Sequence, residues 1–284
     1  MSARNGAWLR LGLGVLVIAV LVWRLGAGAW VHGVRSLSPG VLLAGTLLNV
    51  PVTVACAWRW LRVSRALEEP HGSLAAATAA YYRAQLLNTT LPGGVLGDVG
   101  RAVGHGVRAV VWERIAGQAV QLGLTVLALL VLPAEVPRVV PVAVVVAWLA
   151  TTLLLARGVP LPAWPGVVVA SALAVVGHVA TFVLAAHAVG VSAPLSSLVP
   201  LALLVLLAMA VPANVAGWGP REGAAAWLFA AAGLGADAGL ATAVAYGVLV
   251  LVASLPGLAV LLVGYRRHRP TSQPSRDLVA VGRG

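Results

Sequence analysis

From Gly158 to Pro220 the chain contains no Asp, Glu, Lys or Arg. A soluble domain, in which about 25% of residues are charged, does not tolerate so long an uncharged run. A bilayer does: each crossing needs roughly 20 mainly apolar residues. There the backbone must satisfy its own hydrogen bonds, which favours helices. The rest of the chain agrees. Its 284 residues are 60% hydrophobic and 10% charged, with a mean hydropathy of +0.96. The expected fold is all-α: a polytopic helical membrane protein with about six full spans and two re-entrant or broken helical segments.

The apolar runs set these spans at about Trp8–Leu25, Pro39–Trp58, Val110–Leu132, Val139–Ala156, Pro165–Val189 and Ala238–Gly264, with a further apolar segment at about Leu195–Val211. Residues 1–265 then form one transmembrane domain, and 266–284 an Arg-rich cytoplasmic tail expected to be disordered. Ala27-Gly28-Ala29 after the first run resembles a signal-peptide cleavage site, but an uncleaved first helix is expected. Ser73–Thr90 is less apolar, carries Arg83, Gln85 and Asn88, and runs into Leu91-Pro92-Gly93-Gly94. A half-span or re-entrant helix suits it better than a full crossing.

The net charge is +11 and all 19 basic residues are Arg. In a soluble protein that would suggest nucleic acid. In a membrane protein it reflects cytoplasmic loops, which collect basic residues, and no nucleic-acid partner is expected. With the N-terminus inside and both broken segments re-entrant, thirteen arginines fall inside, three outside, and Arg83, Arg114 and Arg221 at membrane depth. Both termini are thus expected in the cytoplasm, with the protein multi-pass in the cytoplasmic membrane. The lone Cys56 supports neither a disulfide nor a zinc cluster. His178 and His187 are read as interior polar groups, and no metal or cofactor is expected.

Two segments repeat. Pro92, Val95, Gly97 and Arg101 recur as Pro212, Val215, Gly217 and Arg221, each set after an apolar helical segment and before another helix. Paired Gly/Pro interruptions in the two halves of a membrane protein point to a binding site. Under the topology above the halves are inverted.

Ionisable residues within spans are costly and usually have a partner or a task. Asp98 and Arg101 lie three apart at a helix start and can pair. Glu113 and Arg114 can form an ordinary interfacial pair. Arg221 and Glu222 follow Gly217-Trp218-Gly219-Pro220. A helix starting there favours an anion, and the planar Arg221 fork suits phosphate. The sequence contains no Walker A, G-x-S-x-G or H-E-x-x-H motif.

Asn88-x-x-Leu91-Pro92-x-x-x-x-Gly97-Asp98-x-x-Arg101, then Glu113-Arg114, then Pro212-x-x-x-x-Gly217-x-Gly219-x-Arg221-Glu222 resembles the flippase-like membrane domain of lysylphosphatidylglycerol synthases over about residues 7–265. The resemblance implies a lipid-translocating or lipid-presenting domain with two re-entrant elements. Nothing in the chain matches the aminoacylating domain of the bifunctional members, so aminoacyl transfer is not carried over. The residues expected to contact substrate are Arg83, Asn88, Pro92, Gly97, Asp98, Arg101, Glu113, Arg114, Pro212, Gly217, Gly219, Arg221 and Glu222. Arg101 and Arg221 would bind phosphate; Asp98 and Glu222 would orient them or bind a cationic head group. The expected function is translocation of a phospholipid or lipid-linked sugar across the membrane, without enzymatic activity. The rival is a non-transporting partner that presents lipid to, or docks, a separate glycosyltransferase or lipid synthase.

Overall fold

The structure is a computed structural model that describes residues 16, 19–91, 96–132, 137, 139–210 and 218–267. The helices are α1 (Gly28–Arg35), α2 (Pro39–Ala66), α3 (Leu74–Thr90), α4 (Leu96–His105), α5 (Val107–Val131), α6 (Val139–Gly158), α7 (Trp164–Val189), α8 (Leu195–Ala208), α9 (Pro220–Ala231), α10 (Ala236–Ser254) and α11 (Pro256–Arg267). Among the described residues five stretches are long and apolar enough to cross a membrane: Pro39–Ala66, Val107–Val131, Val139–Gly158, Leu161–Val189 and Ala236–Leu262. The chain is an all-α, multi-pass membrane protein. The first expected span, Trp8–Leu25, lies mostly outside the described residues; residues 19–25 are helical.

Local sequence sets the helix ends. The Ser38 and Ser73 hydroxyls accept the backbone N–H of Val41 and Ala76, capping α2 and α3. Pro39 and Pro220 stand in the first turns of α2 and α9, where the absent N–H costs nothing.

Three boundaries differ from the sequence expectation. Helix α2 does not stop at Trp58 but carries Arg59, Arg62 and Arg65 within it. The final span is broken between Ser254 and Pro256, and its second piece reaches Arg267. A short helix, α1, packs through Ala29 and Trp30 against α9 and α10.

Helices α3, α4, α8 and α9 have 17, 10, 14 and 12 residues. At about 1.5 Å per residue none spans a core of about 30 Å. Helices α3 and α4 form a hairpin, since Gly97 meets Ala84 and Arg101 meets Tyr81 further back along α3.

The packing is two-fold. Exchanging α2, α3, α4 and α5 for α7, α8, α9 and α10 leaves the pattern of packed pairs unchanged. Thus α2 packs on α5 as α7 packs on α10, α5 on α8 as α3 on α10, and α5 on α7 as α10 on α2. The central pair, α2 with α7, is its own counterpart and runs antiparallel. Asn49 bonds Thr181, Gly177 meets Val52, Arg59 bonds Ser171, and Gly166 meets Arg62. Antiparallel counterparts mean that the second half is inverted relative to the first. Small residues along this seam, among them Gly166, Ala174 and Gly177, let the helices approach closely where lipid supplies no hydrophobic drive.

Candidate functional site

The first repeat motif is built around Asn88, on the last turn of α3. Its amide oxygen accepts the Gly97 backbone N–H at 2.8 Å, and its amide nitrogen donates to Asp98 at 3.2 Å. Asn88 therefore ties the end of α3 to the start of α4. Gly97 is required there: a Cβ would run into the backbone of Ala84. Pro92, in the loop between, lies outside the described residues.

Asp98 and Glu113 anchor a chain of charges through the first half. Glu113, fully buried, accepts Arg59 Nε at 3.0 Å and Arg59 Nη2, the Tyr81 hydroxyl at 2.7 Å, and Arg101 Nη2 at 3.5 Å. Asp98 accepts Arg101 Nη2 and Arg114 Nη2. The order is Arg59, Glu113, Arg101, Asp98, Arg114. Three guanidiniums alternate with two carboxylates, and one positive charge is left over. Alternation is what buried charges require, since each must be paired and hydrogen-bonded. Arg101 is 0% exposed and also lies over Tyr81, at 4.1 Å from the ring centre, and near Trp60, at 5.0 Å. Glu113 and Arg114 are not an interfacial pair: Glu113 turns to Arg59 and Arg101, whereas Arg114 turns to Asp98.

The second motif repeats part of this design. Glu222, fully buried on the first turn of α9, accepts the Gly219 N–H at 2.7 Å through one oxygen and Arg221 through the other. The reach back to Gly219 fixes the helix start. That turn sits at φ 121°, a conformation glycine adopts without strain. The Arg221 guanidinium lies 5.1 Å from the Trp218 ring centre and 5.3 Å from that of Tyr246. Trp218 is backed in turn by Trp30 of α1. Pro212 and Gly217 lie outside the described residues.

Between the motifs lies a cavity of about 270 Å³. Its wall is drawn from both halves: Asn88 and Thr89 of α3; Arg114, Gln118 and Gln121 of α5; Val175 and His178 of α7; Leu206, Met209 and Ala210 at the end of α8; Trp218, Pro220 and Arg221 at the start of α9; and Tyr246, Gly247, Val250 and Leu251 of α10. Arg114, its side chain 54% exposed, supplies a cation from the first half. Arg221 supplies one from the second. No carboxylate lines the cavity among the described residues. Asp98 and Glu222 sit behind these arginines and hold them. His178 Nδ1 lies 3.0 Å from the Tyr246 hydroxyl on the same wall.

The sequence-selected residues therefore separate by role. Asn88, Arg114 and Arg221 line the cavity. Gly97, Asp98, Arg101, Glu113, Gly219 and Glu222 form the support behind it. Arg83 is half-buried on α3 and does not line it. Sequence reading missed Arg59, Tyr81, Trp218, Gln118, Gln121 and Tyr246. A signal existed for one group: Arg114, Gln118 and Gln121 recur at four- and three-residue steps along an otherwise apolar span. No group of His, Cys, Asp and Glu suited to a metal occurs among the described residues.

Fold and site together define an inverted helical membrane protein built around a two-arginine cavity. Comparison with protein-family models, curated proteins and solved structures finds no match.

Proposed function

We propose that this protein moves lipids with an anionic, phosphate-bearing head group between the leaflets of the membrane. The observation that carries this reading is that Arg114 and Arg221, from opposite halves, line one cavity without a carboxylate among its described lining residues. Two guanidiniums suit phosphate oxygens. The unmatched positive charge of the Arg59–Arg114 chain favours an anion at its open end. A cationic head group finds no counter-charge there, because Asp98 and Glu222 already serve arginines. Apolar wall residues such as Val175, Leu206 and Val250 suit the start of the acyl chains.

Two further features support the reading. The sequence motifs resemble the flippase-like domain of lysylphosphatidylglycerol synthases. Broken helices meeting at the interface of inverted halves are also the usual setting of a transported ligand. The sequence carries no nucleotide-binding motif, so movement is downhill or draws on a gradient.

The test is leaflet exchange in vesicles of phosphatidylcholine containing the purified protein and trace acyl-chain-labelled lipids with anionic, zwitterionic or cationic head groups. Exchange is expected for anionic lipids and lost in Arg221→Ala. Equal exchange of all three classes, or an unaffected variant, rejects the reading.

A further inference from the structure

Phosphate recognition leaves part of the cavity wall unused. Arg114, Gln118 and Gln121 stand on one face of α5, since steps of four and three residues return to the same side of a helix. The two amides extend the polar stripe about 10 Å along the axis from Arg114. Both are half-buried, and among the described residues neither side chain has a hydrogen-bond partner. Neither amide is among the fully buried polar groups, so both are reachable from the cavity and free to bond a ligand. On the facing walls stand further neutral groups: Thr89, and the His178–Tyr246 pair.

The chemistry of this stripe restricts what lies beyond the phosphate. Amides both donate and accept, which matches hydroxyls. An ammonium group would need a carboxylate, and none lines the cavity among the described residues. The aromatic faces that could take a quaternary amine are engaged: Arg221 lies against Trp218 and Tyr246. A bare phosphate would leave both glutamines to water, with no contact to the ligand.

We propose that the site selects lipids whose phosphate is extended by a neutral polyol or sugar, with Gln118 and Gln121 reading its hydroxyls. This rests on the assignment of Arg114 and Arg221 as the phosphate-binding pair. The shared chemistry has two sources, glycerophospholipids with polyol head groups and isoprenoid phosphosugars.

The experiment uses the full-length protein in phosphatidylcholine vesicles. Acyl-chain-labelled phosphatidic acid, phosphatidylglycerol and phosphatidylinositol are compared, with a polyprenyl phosphohexose added as unlabelled competitor. The hydroxylated lipids are expected to exchange about tenfold faster than phosphatidic acid, the effect of about two hydrogen bonds. A Gln118→Leu/Gln121→Leu variant is expected to abolish the preference, so that within the variant the hydroxylated lipids and phosphatidic acid exchange at one rate. Competition by the polyprenyl lipid against phosphatidylglycerol assigns the isoprenoid source, and its absence the glycerolipid source; either outcome supports the proposal when the preference is present. Equal wild-type rates for phosphatidic acid and the polyol lipids overturn the proposal and leave the phosphate reading standing. So does an equal loss of all rates in a variant that elutes as folded protein. If the double variant does not fold, the wild-type preference decides. No movement of any anionic lipid overturns both.

Discussion

Arg114 and Arg221 face the same cavity from opposite halves of an inverted repeat, and each is held from behind by a buried carboxylate, Asp98 for the first and Glu222 for the second. The cavity is thus made by the fold and not by either motif alone.

The two arginines of the first half separate binding from stability. Arg114→Ala removes a half-exposed cation and leaves Asp98 paired with Arg101. It should lower anionic-lipid exchange at least tenfold and stability by only about 1 kcal/mol. Arg101→Ala leaves Asp98 and Glu113 with fewer partners in a buried site and should cost about 3–5 kcal/mol. Unfolding in detergent micelles, run beside the exchange assay, distinguishes the two.

Arg59 and Glu113 are coupled. Arg59→Met alone takes the nearest cation from buried Glu113, leaving it Arg101 at 3.5 Å and the Tyr81 hydroxyl, whereas Arg59→Met with Glu113→Gln removes both charges. The double variant should be more stable than the single by about 1–3 kcal/mol. A double variant as unstable as the sum of the two singles would refute the coupling.

Asn88 offers a charge test. Asn88→Ala loses the tie between α3 and α4. Asn88→Asp keeps an acceptor for the Gly97 N–H but sets a second carboxylate beside Asp98 and on the cavity wall. Asp should therefore weaken anionic-lipid binding more than Ala does, measured by competition at equal protein.

Gly97→Ala should destabilise the protein by about 1–3 kcal/mol through overpacking. Ala84→Gly should not rescue it, because the obstruction is Ala84 backbone and not its methyl group. Rescue would place the contact elsewhere.

The antiparallel central pair can be checked by cross-linking in a Cys56→Ser background. Cysteine pairs at 49 with 181 and at 62 with 166 should react with a short bifunctional thiol reagent, whereas 49 with 166 should not. Reaction of the last pair would contradict the inverted arrangement.

Much of the scaffold was legible because its signals are local. The uncharged run from Gly158 to Pro220 announces membrane helices, and the offset between Pro92–Arg101 and Pro212–Arg221 announces two halves. Asp98 with Arg101, three residues apart, also declares itself. Arg59 did not, because an arginine after an apolar run reads as a loop residue. It stays in the helix because Glu113, 54 residues further on, compensates its charge. Arg114 likewise stands beside Glu113 in sequence, whereas its partner in the fold is Asp98 on another helix. Pairings between distant segments depend on packing, which no single stretch of sequence contains.

The inversion of the two halves has an energetic corollary. Any tilt of one half that opens the central space toward one face of the membrane has a counterpart with the halves in exchanged roles, opening it toward the other. Were the halves identical, the two shapes would have equal free energy. They are not identical. Among the described residues, one carries a chain of five charges, the other a single buried pair. On the proposed transport function, the resting preference between faces would follow this inequality, and removing Arg59 and Glu113 together, which do not line the cavity, would shift the population between shapes without touching the ligand.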